Sequence, residues 1–142
     1  MEYLILTGFT MLILSILLVA AYTKIAGSEK QVDIDAAERA VNRIKEAADF
    51  AYIHAHPTKL TISVYLPPDL DGAHSFIDNR TINLAINVAG DYTDVWRSTK
   101  GAIGWDVYGE SEFPTSEGYY VFVVESTPYA NSTWRINMHE PE

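Results

Sequence analysis

Cysteine is absent from this sequence, which excludes a disulfide framework and any thiolate metal site and leaves the redox compartment unread. Positive charge is scarce: 10 Lys and Arg stand against 19 Asp and Glu, for a formal net charge of -9. No basic stripe is present to neutralise phosphates, which argues against nucleic acid as a partner. No glycine-rich phosphate loop follows a strand, and no Ser or His stands in a recognisable nucleophile motif. Neither an enzyme nor a bound cofactor is expected. Two further absences shape the start of the chain: no formal charge occurs between Glu2 and Lys24, and no proline precedes Pro57.

Apolar residues fill the charge-free stretch. At about 1.5 Å per residue, a helix from Tyr3 to Thr23 crosses a hydrocarbon layer of roughly 30 Å. A removable secretory signal has a basic start, an apolar core of about 7–15 residues and a small-residue cleavage site. Here the start is acidic and the run passes without a break into more helix-forming sequence, so a retained span is expected. The remainder of the 142 residues suffices for one compact domain. Lys24 and Lys30 lie among Glu29, Asp33 and Asp35, so the positive-inside rule is undecided on that flank. A basic leader before Met1 would put the N-terminus in the cytoplasm and the bulk of the chain outside, the orientation expected here.

From Gly27 and Ser28 onward the helical period persists while the polarity changes. Ile34, Ala37, Val41, Ile44, Ala48, Ala51 and Ala55 recur at alternating spacings of three and four and form one stripe. Glu38, Arg39, Asn42, Arg43, Lys45, Glu46 and Asp49 cover much of the rest. The spacing predicts one helix from about Tyr3 to Ala55, with Gly27-Ser28 the weakest point for a bend. Its second half is either a core helix of the domain or a short coiled coil.

Beyond Pro57 the period becomes two. Leu60, Ile62, Val64 and Leu66 alternate with Thr61, Ser63 and Tyr65, and Ile82, Leu84, Ile86 and Val88 with Thr81, Asn83, Ala85 and Asn87, the pattern of half-buried strands. Further strands are expected around 103–107, 119–125 and 134–138, punctuated by Asp71-Gly72, Asp78-Asn79, Ala89-Gly90, Lys100-Gly101 and Pro128. Short connections predict an antiparallel meander, covered on one face by the alanine stripe. The expected fold is α+β: a helix over 1–56, apolar in 3–27 and amphipathic in 28–56, then an antiparallel β-sheet head over 57–142.

The opening Met1-Glu2-Tyr3-Leu4-Ile5-Leu6-Thr7-Gly8-Phe9 resembles the hydrophobic start of archaeal type IV pilins with class III signal peptides. In that family a Gln-x-Ser-x-Glu-Tyr/Phe-Leu pattern follows the cleavage point. Glu2-Tyr3-Leu4 supplies the last part of that pattern; the Gln-x-Ser part and a basic leader are not in this sequence, which a start upstream of Met1 or different processing would explain. Ala47-Ala48-Asp49, Tyr52 and Val64-Tyr65-Leu66-Pro67 are similar to the helix exit and first strand of such pilins. Gly118-Tyr119-Tyr120-Val121 and Trp134-Arg135-Ile136 resemble their last hairpin. The resemblance implies a structural subunit of a surface adhesion filament, a helical homopolymer whose members sit in the cytoplasmic membrane before assembly. It also implies a prepilin peptidase and an assembly machinery as partners. The alternatives are a monomeric membrane-anchored extracellular binding module and an archaellin-like subunit of a motility filament.

Physical chemistry allows the polymer. Tyr3, Leu4, Ile5, Leu6, Gly8, Phe9, Leu12, Ile13, Ile16 and Leu17 are the residues expected to build a filament core, each fully buried large side chain contributing roughly 1.5–3 kcal/mol. Gly8, Ser15, Ala20 and Ala21 permit close helix approach. Glu2, at the entrance of the apolar helix, either sets register by pairing with the N-terminal amine of a neighbouring subunit, as the resemblance implies, or lies at headgroup level with its charge in water. Asn79-Arg80-Thr81 and Asn131-Ser132-Thr133 match the N-glycosylation acceptor pattern next to expected turns.

Other motifs favour plain structural readings. His54 and His56 fall on different helix faces and suit a solvated terminus better than a metal. Asp69, Asp71 and Gly72 lack the remaining ligands of a calcium loop and read as a tight turn. Trp96, Trp105, Trp134 and the tyrosines are either core and subunit contacts or an adhesive face.

Overall fold

A computed structural model of the chain describes residues 2–55, 57–88, 90–105, 113–127 and 136–141. The fold is α+β, one long N-terminal helix followed by a β-rich head. Helix α1 runs Glu2–His54, and its assignment continues through Gly27 and Ser28. By contact grouping the chain forms two compact units, Met1–Val32 and Asp33–Glu142. In the first, every described residue from Glu2 to Ile25 is exposed.

The second unit owes its core to the stripe on α1. Ala37, Val41, Ile44, Ala48 and Ala51 are fully buried, Ile34 packs at the edge of the cluster, and Ala40 and Ala47 widen the buried band. These side chains share one buried cluster with Ile62, Leu84, Phe122 and Ile136 of the strands, so the helix is a core helix over this length. Ala55 leaves the stripe: it lies past the helix end at φ 57, exposed. Its carbonyl accepts from the hydroxyls of Thr58 and Ser126, at 2.5 and 3.1 Å. Asp49 departs from the outer, solvated surface expected of it. It is buried, with Oδ2 held by Lys45 Nζ at 2.6 Å and Oδ1 accepting the Lys100 backbone N–H at 2.7 Å. A buried carboxylate needs such partners, and the second comes from 51 residues away, beyond the reach of helical periodicity.

Strands β1 (Lys59–Leu66), β2 (Phe76–Asp78), β3 (Thr81–Val88), β4 (Asp91–Ser98), β5 (Ile103–Trp105), β6 (Gly118–Ser126) and β7 (Ile136–His139) form two sheets rather than one meander, in the orders β1-β6-β7-β5 and β2-β3-β4. β1 pairs with β6, Ile62 opposite Phe122, and β5 runs parallel to β7, Ile103 opposite Ile136. The expected sequential antiparallel pairing holds in β2-β3-β4 and between β6 and β7, while β1 and β5 find partners far along the chain, because alternation identifies a strand's buried face but not its partner. The strand expected over 103–107 is assigned through Trp105, with 106–112 outside the described residues; of the one expected over 134–138, residues 136–139 are described as strand.

β2 and β4 were not anticipated. β4 buries a single large apolar residue, Val95, and presents Tyr92, Asp94 and Trp96 outward, so it carries no hydrophobic alternation. β3 also differs from the half-buried expectation: Ile82, Asn83, Leu84, Ala85 and Ile86 are all buried. It is the middle strand of its sheet, and its edge beyond β2 is lined by the 69–75 segment. There Asp71 N–H donates to Ala85 O at 2.8 Å, Asn87 N–H to Asp69 O at 2.9 Å, and Ala85 N–H to Ser75 Oγ at 3.0 Å.

The corner after β4 is fastened at several points. Thr99 N–H donates to Arg80 O and the Thr99 hydroxyl to Gly101 O. Gly101 lies against Tyr52; a Cβ there would overlap the ring, with Cγ at 2.8 Å and Cε2 at 2.9 Å. Gly101→Ala is therefore expected to destabilise the head by about 1–3 kcal/mol through overpacking, read as a lower urea midpoint with unchanged slope. A midpoint equal to wild type would mean that Tyr52 moves aside freely.

Candidate functional site

The strongest functional feature is the apolar segment of α1. Every described residue from Glu2 to Ile25 is exposed. Tyr3, Leu4, Ile5, Leu6, Phe9, Leu12, Ile13, Ile16 and Leu17 are all exposed large apolar side chains, from 86% at Tyr3 to 43% at Ile13. Gly8 has open space where a Cβ would stand. This helix is long and apolar enough to cross a membrane. Apolar side chains at nearly every position from Met11 to Val19 leave no polar stripe for water.

Three threonine hydroxyls in the segment are reconciled with an apolar surrounding by the helix itself. Thr7 Oγ1 donates to Tyr3 O at 2.6 Å, Thr10 Oγ1 to Leu6 O at 2.7 Å and Thr23 Oγ1 to Ala20 O at 3.0 Å. Their hydroxyls therefore need no external acceptor where water is missing. Glu2 lies in the first turn, where the helix dipole favours a carboxylate.

On the head, Asn79 is exposed in the turn between β2 and β3 at φ 55, a left-handed conformation that asparagine tolerates, with its carbonyl accepting Ile103 N–H. Asn131, its tripeptide and Trp134 lie outside the described residues, as does His56. His54 stacks on Phe50 with centroids 3.9 Å apart, its Nδ1 lying 2.9 Å from Phe50 O. Among the described residues no group of three His, Asp or Glu is placed to hold a metal. Trp105 packs edge-on to Phe113 and Phe122, at 5.0 and 5.4 Å, as part of an aromatic cluster. Trp96, by contrast, is 59% exposed.

Asp71 organises the expected turn. Its Oδ1 accepts Ala73 N–H at 2.9 Å, and Oδ2 lies 2.7 Å from His74 Nδ1. The His74 hydrogen bond, then the Ala73 N–H, hold the Asp71 carboxyl below the usual carboxylate range. A depressed folded pKa contributes stability above the unfolded value of about 3.9 and loses it as pH falls through the folded one. The urea midpoint of wild type should therefore exceed that of Asp71→Asn at pH 7, with the gap closing below about pH 4; a pH-independent gap would show that charge at Asp71 is irrelevant. Tyr65 is the opposite case. Its hydroxyl donates to Glu117 at 2.8 Å, and that bond raises its pKa.

A groove of about 460 Å³ runs between Ile34 and Glu38 of α1 and Thr93–Ser98 of β4. Arg97 bridges it, pairing with Glu38 and donating from Nε to Asn42 Oδ1 at 3.2 Å. Sequence reasoning missed the residues that the 69–98 region brings together, namely His74, Phe76, Asn83, Tyr92 and Asp94. The available signal was the polar–aromatic alternation Tyr92, Asp94, Trp96, which marks an outward strand face rather than a core. No protein-family model, curated protein or solved structure matches this chain.

Proposed function

We propose that this chain is the structural subunit of an extracellular archaeal type IV-like pilus, a surface adhesion filament that polymerises through its N-terminal helices. One observation carries the reading: the residues from Glu2 to Ile25 are exposed without exception, while the head's buried core begins at Ala37 and closes on its own strands. An apolar helix without a polar stripe must be surrounded by something other than water. Lipid surrounds it before assembly; the helices of neighbouring subunits replace lipid afterwards, with Gly8 allowing close approach. Head-to-tail contacts that do not close a ring extend into an open helical polymer. The resemblance at Glu2-Tyr3-Leu4 supports this use, with a prepilin peptidase and an assembly machinery as partners. The acidic head would form the outside, carrying glycans if Asn79 or Asn131 is modified.

Electron microscopy of material sheared from source cells, with mass spectrometry of the filaments, tests the proposal. Thin helical filaments made mainly of this chain are expected. A chain confined to the membrane fraction, in no filament, overturns the proposal in favour of a monomeric anchored module. Within the filament reading, Glu2 pairs with a neighbour's N-terminal amine and sets register. Glu2→Ala should then reduce filament yield at least several-fold while membrane insertion is unchanged; normal yield would remove the register role.

A further inference from the structure

We propose that the outer face of the β2-β3-β4 sheet binds a neutral oligosaccharide carried by another surface, with Phe76 and Trp96 stacking on pyranose rings and Asn83 Oδ1 accepting a sugar hydroxyl. Phe76 is register partner of Asn83, and Asn83 of Trp96, so the three form one cross-strand row. Ile77, Ile82, Leu84 and Val95, at alternate positions, belong to the core, which puts this row on the opposite face. Phe76 and Trp96 are 48% and 59% exposed, and two strand spacings separate them by about 10 Å. Farther along the same face the rings of His74 and Tyr92 stack with centroids 4.2 Å apart.

Asn83 between the two rings is 7% exposed, and its bonding is incomplete. Nδ2 donates to His74 O at 2.9 Å and to Asp94 Oδ1 at 3.1 Å. Both partners are acceptors, which fixes the amide orientation. Oδ1 is left buried without a donor among the described residues, a state that costs free energy until a donor arrives. Asp94 adds a further acceptor to the face. The occupant must therefore bring donors together with a flat apolar surface.

A pyranose has both, its hydroxyls around the rim and its C–H bonds on the faces. Between the two rings an anionic ligand would meet the oxygens of Asn83 and Asp94, on a chain of net charge -9. A lysine or arginine side chain would satisfy the acceptors, but seating its charge on a buried amide oxygen costs more desolvation than seating a hydroxyl. One cation also engages one ring, whereas successive sugars engage both. The proposal requires the head to face the outside and is independent of whether the helix assembles or anchors.

The test uses the full chain in a sugar-free detergent, titrated with cellotetraose, chitotetraose and mannotetraose by calorimetry, with a tetralysine peptide alongside. At least one tetrasaccharide should bind saturably, and Trp96→Ala and Phe76→Ala should each weaken it about tenfold, the loss of one stacked ring, with unchanged melting temperature. Absence of binding by all three at millimolar concentration overturns the proposal, as does binding that survives both substitutions or a preference for tetralysine. Native protein in which binding appears only after removal of a glycan from Asn79 also overturns it, because the face then holds the chain's own sugar.

Discussion

Replacing Ile13 and Ile16 together by aspartate is expected to release the chain from the membrane fraction and abolish its incorporation into filaments. Both side chains are exposed and lie in the middle of the apolar segment. Each charge at the centre of a spanning helix costs about 2.5–3.5 kcal/mol, together about 5–7 kcal/mol, or roughly four powers of ten in partitioning. Neither residue belongs to the head's buried core, so the melting temperature of the head should stay at its wild-type value. Carbonate extraction and fractionation of whole cells read the outcome. Retention of the double variant in both membrane and filament would show that the apolar segment does not place the chain. Gly8→Leu separates the two surroundings: it keeps the segment apolar but fills the open space beside the backbone. It should insert normally and assemble poorly, whereas a lipid anchor alone would tolerate it.

Phe122→Ala should have the largest effect on stability. Phe122 is fully buried at the centre of the head's aromatic cluster, edge-on to Trp105 at 5.4 Å and stacked with Tyr120 at 6.0 Å. It also pairs across strands with Ile62. Deleting the ring costs about 3–5 kcal/mol in lost transfer energy and cavity formation, a large share of the roughly 5–15 kcal/mol that holds a domain of this size. Thermal unfolding of the full chain should show a fall in melting temperature of about 15–30 °C. A drop below about 5 °C would mean that the surrounding rings collapse into the space and that the cluster is not the head's structural centre.

The apolar helix and the aromatic cluster rest on different kinds of information. Charge-free hydrophobicity from Tyr3 to Thr23 and the three–four spacing from Ile34 to Ala51 are local properties of the sequence. They specify a helix and its buried stripe wherever the rest of the chain goes, because helical hydrogen bonds join residues only four apart. The strands Lys59–Leu66 and Thr81–Val88 were legible from alternation for the same reason. Asp69-Leu70-Asp71-Gly72 likewise read as a turn, since an aspartate can bond its own neighbouring backbone.

Strand pairing and burial of polar groups are long-range properties. β1 finds β6, with Lys59 opposite Glu125, and β5 finds β7 in parallel; strand pairing is chosen by how whole faces bury. Asp49 is buried because Lys45 and the Lys100 N–H, the latter from the corner after β4, satisfy its carboxylate, and Asn83 is buried because the 69–75 segment and β4 flank its strand. By itself the sequence determined the long helix, its apolar and amphipathic halves, and a β-rich head, because those depend on period and composition. Only the tertiary structure decided the division into two sheets, because the pairing of β1 with β6 and of β5 with β7 is set by how whole faces bury; the row of Phe76, Asn83 and Trp96 takes its register from the short connections of two successive hairpins, but exists only once the polar β4 has joined the sheet.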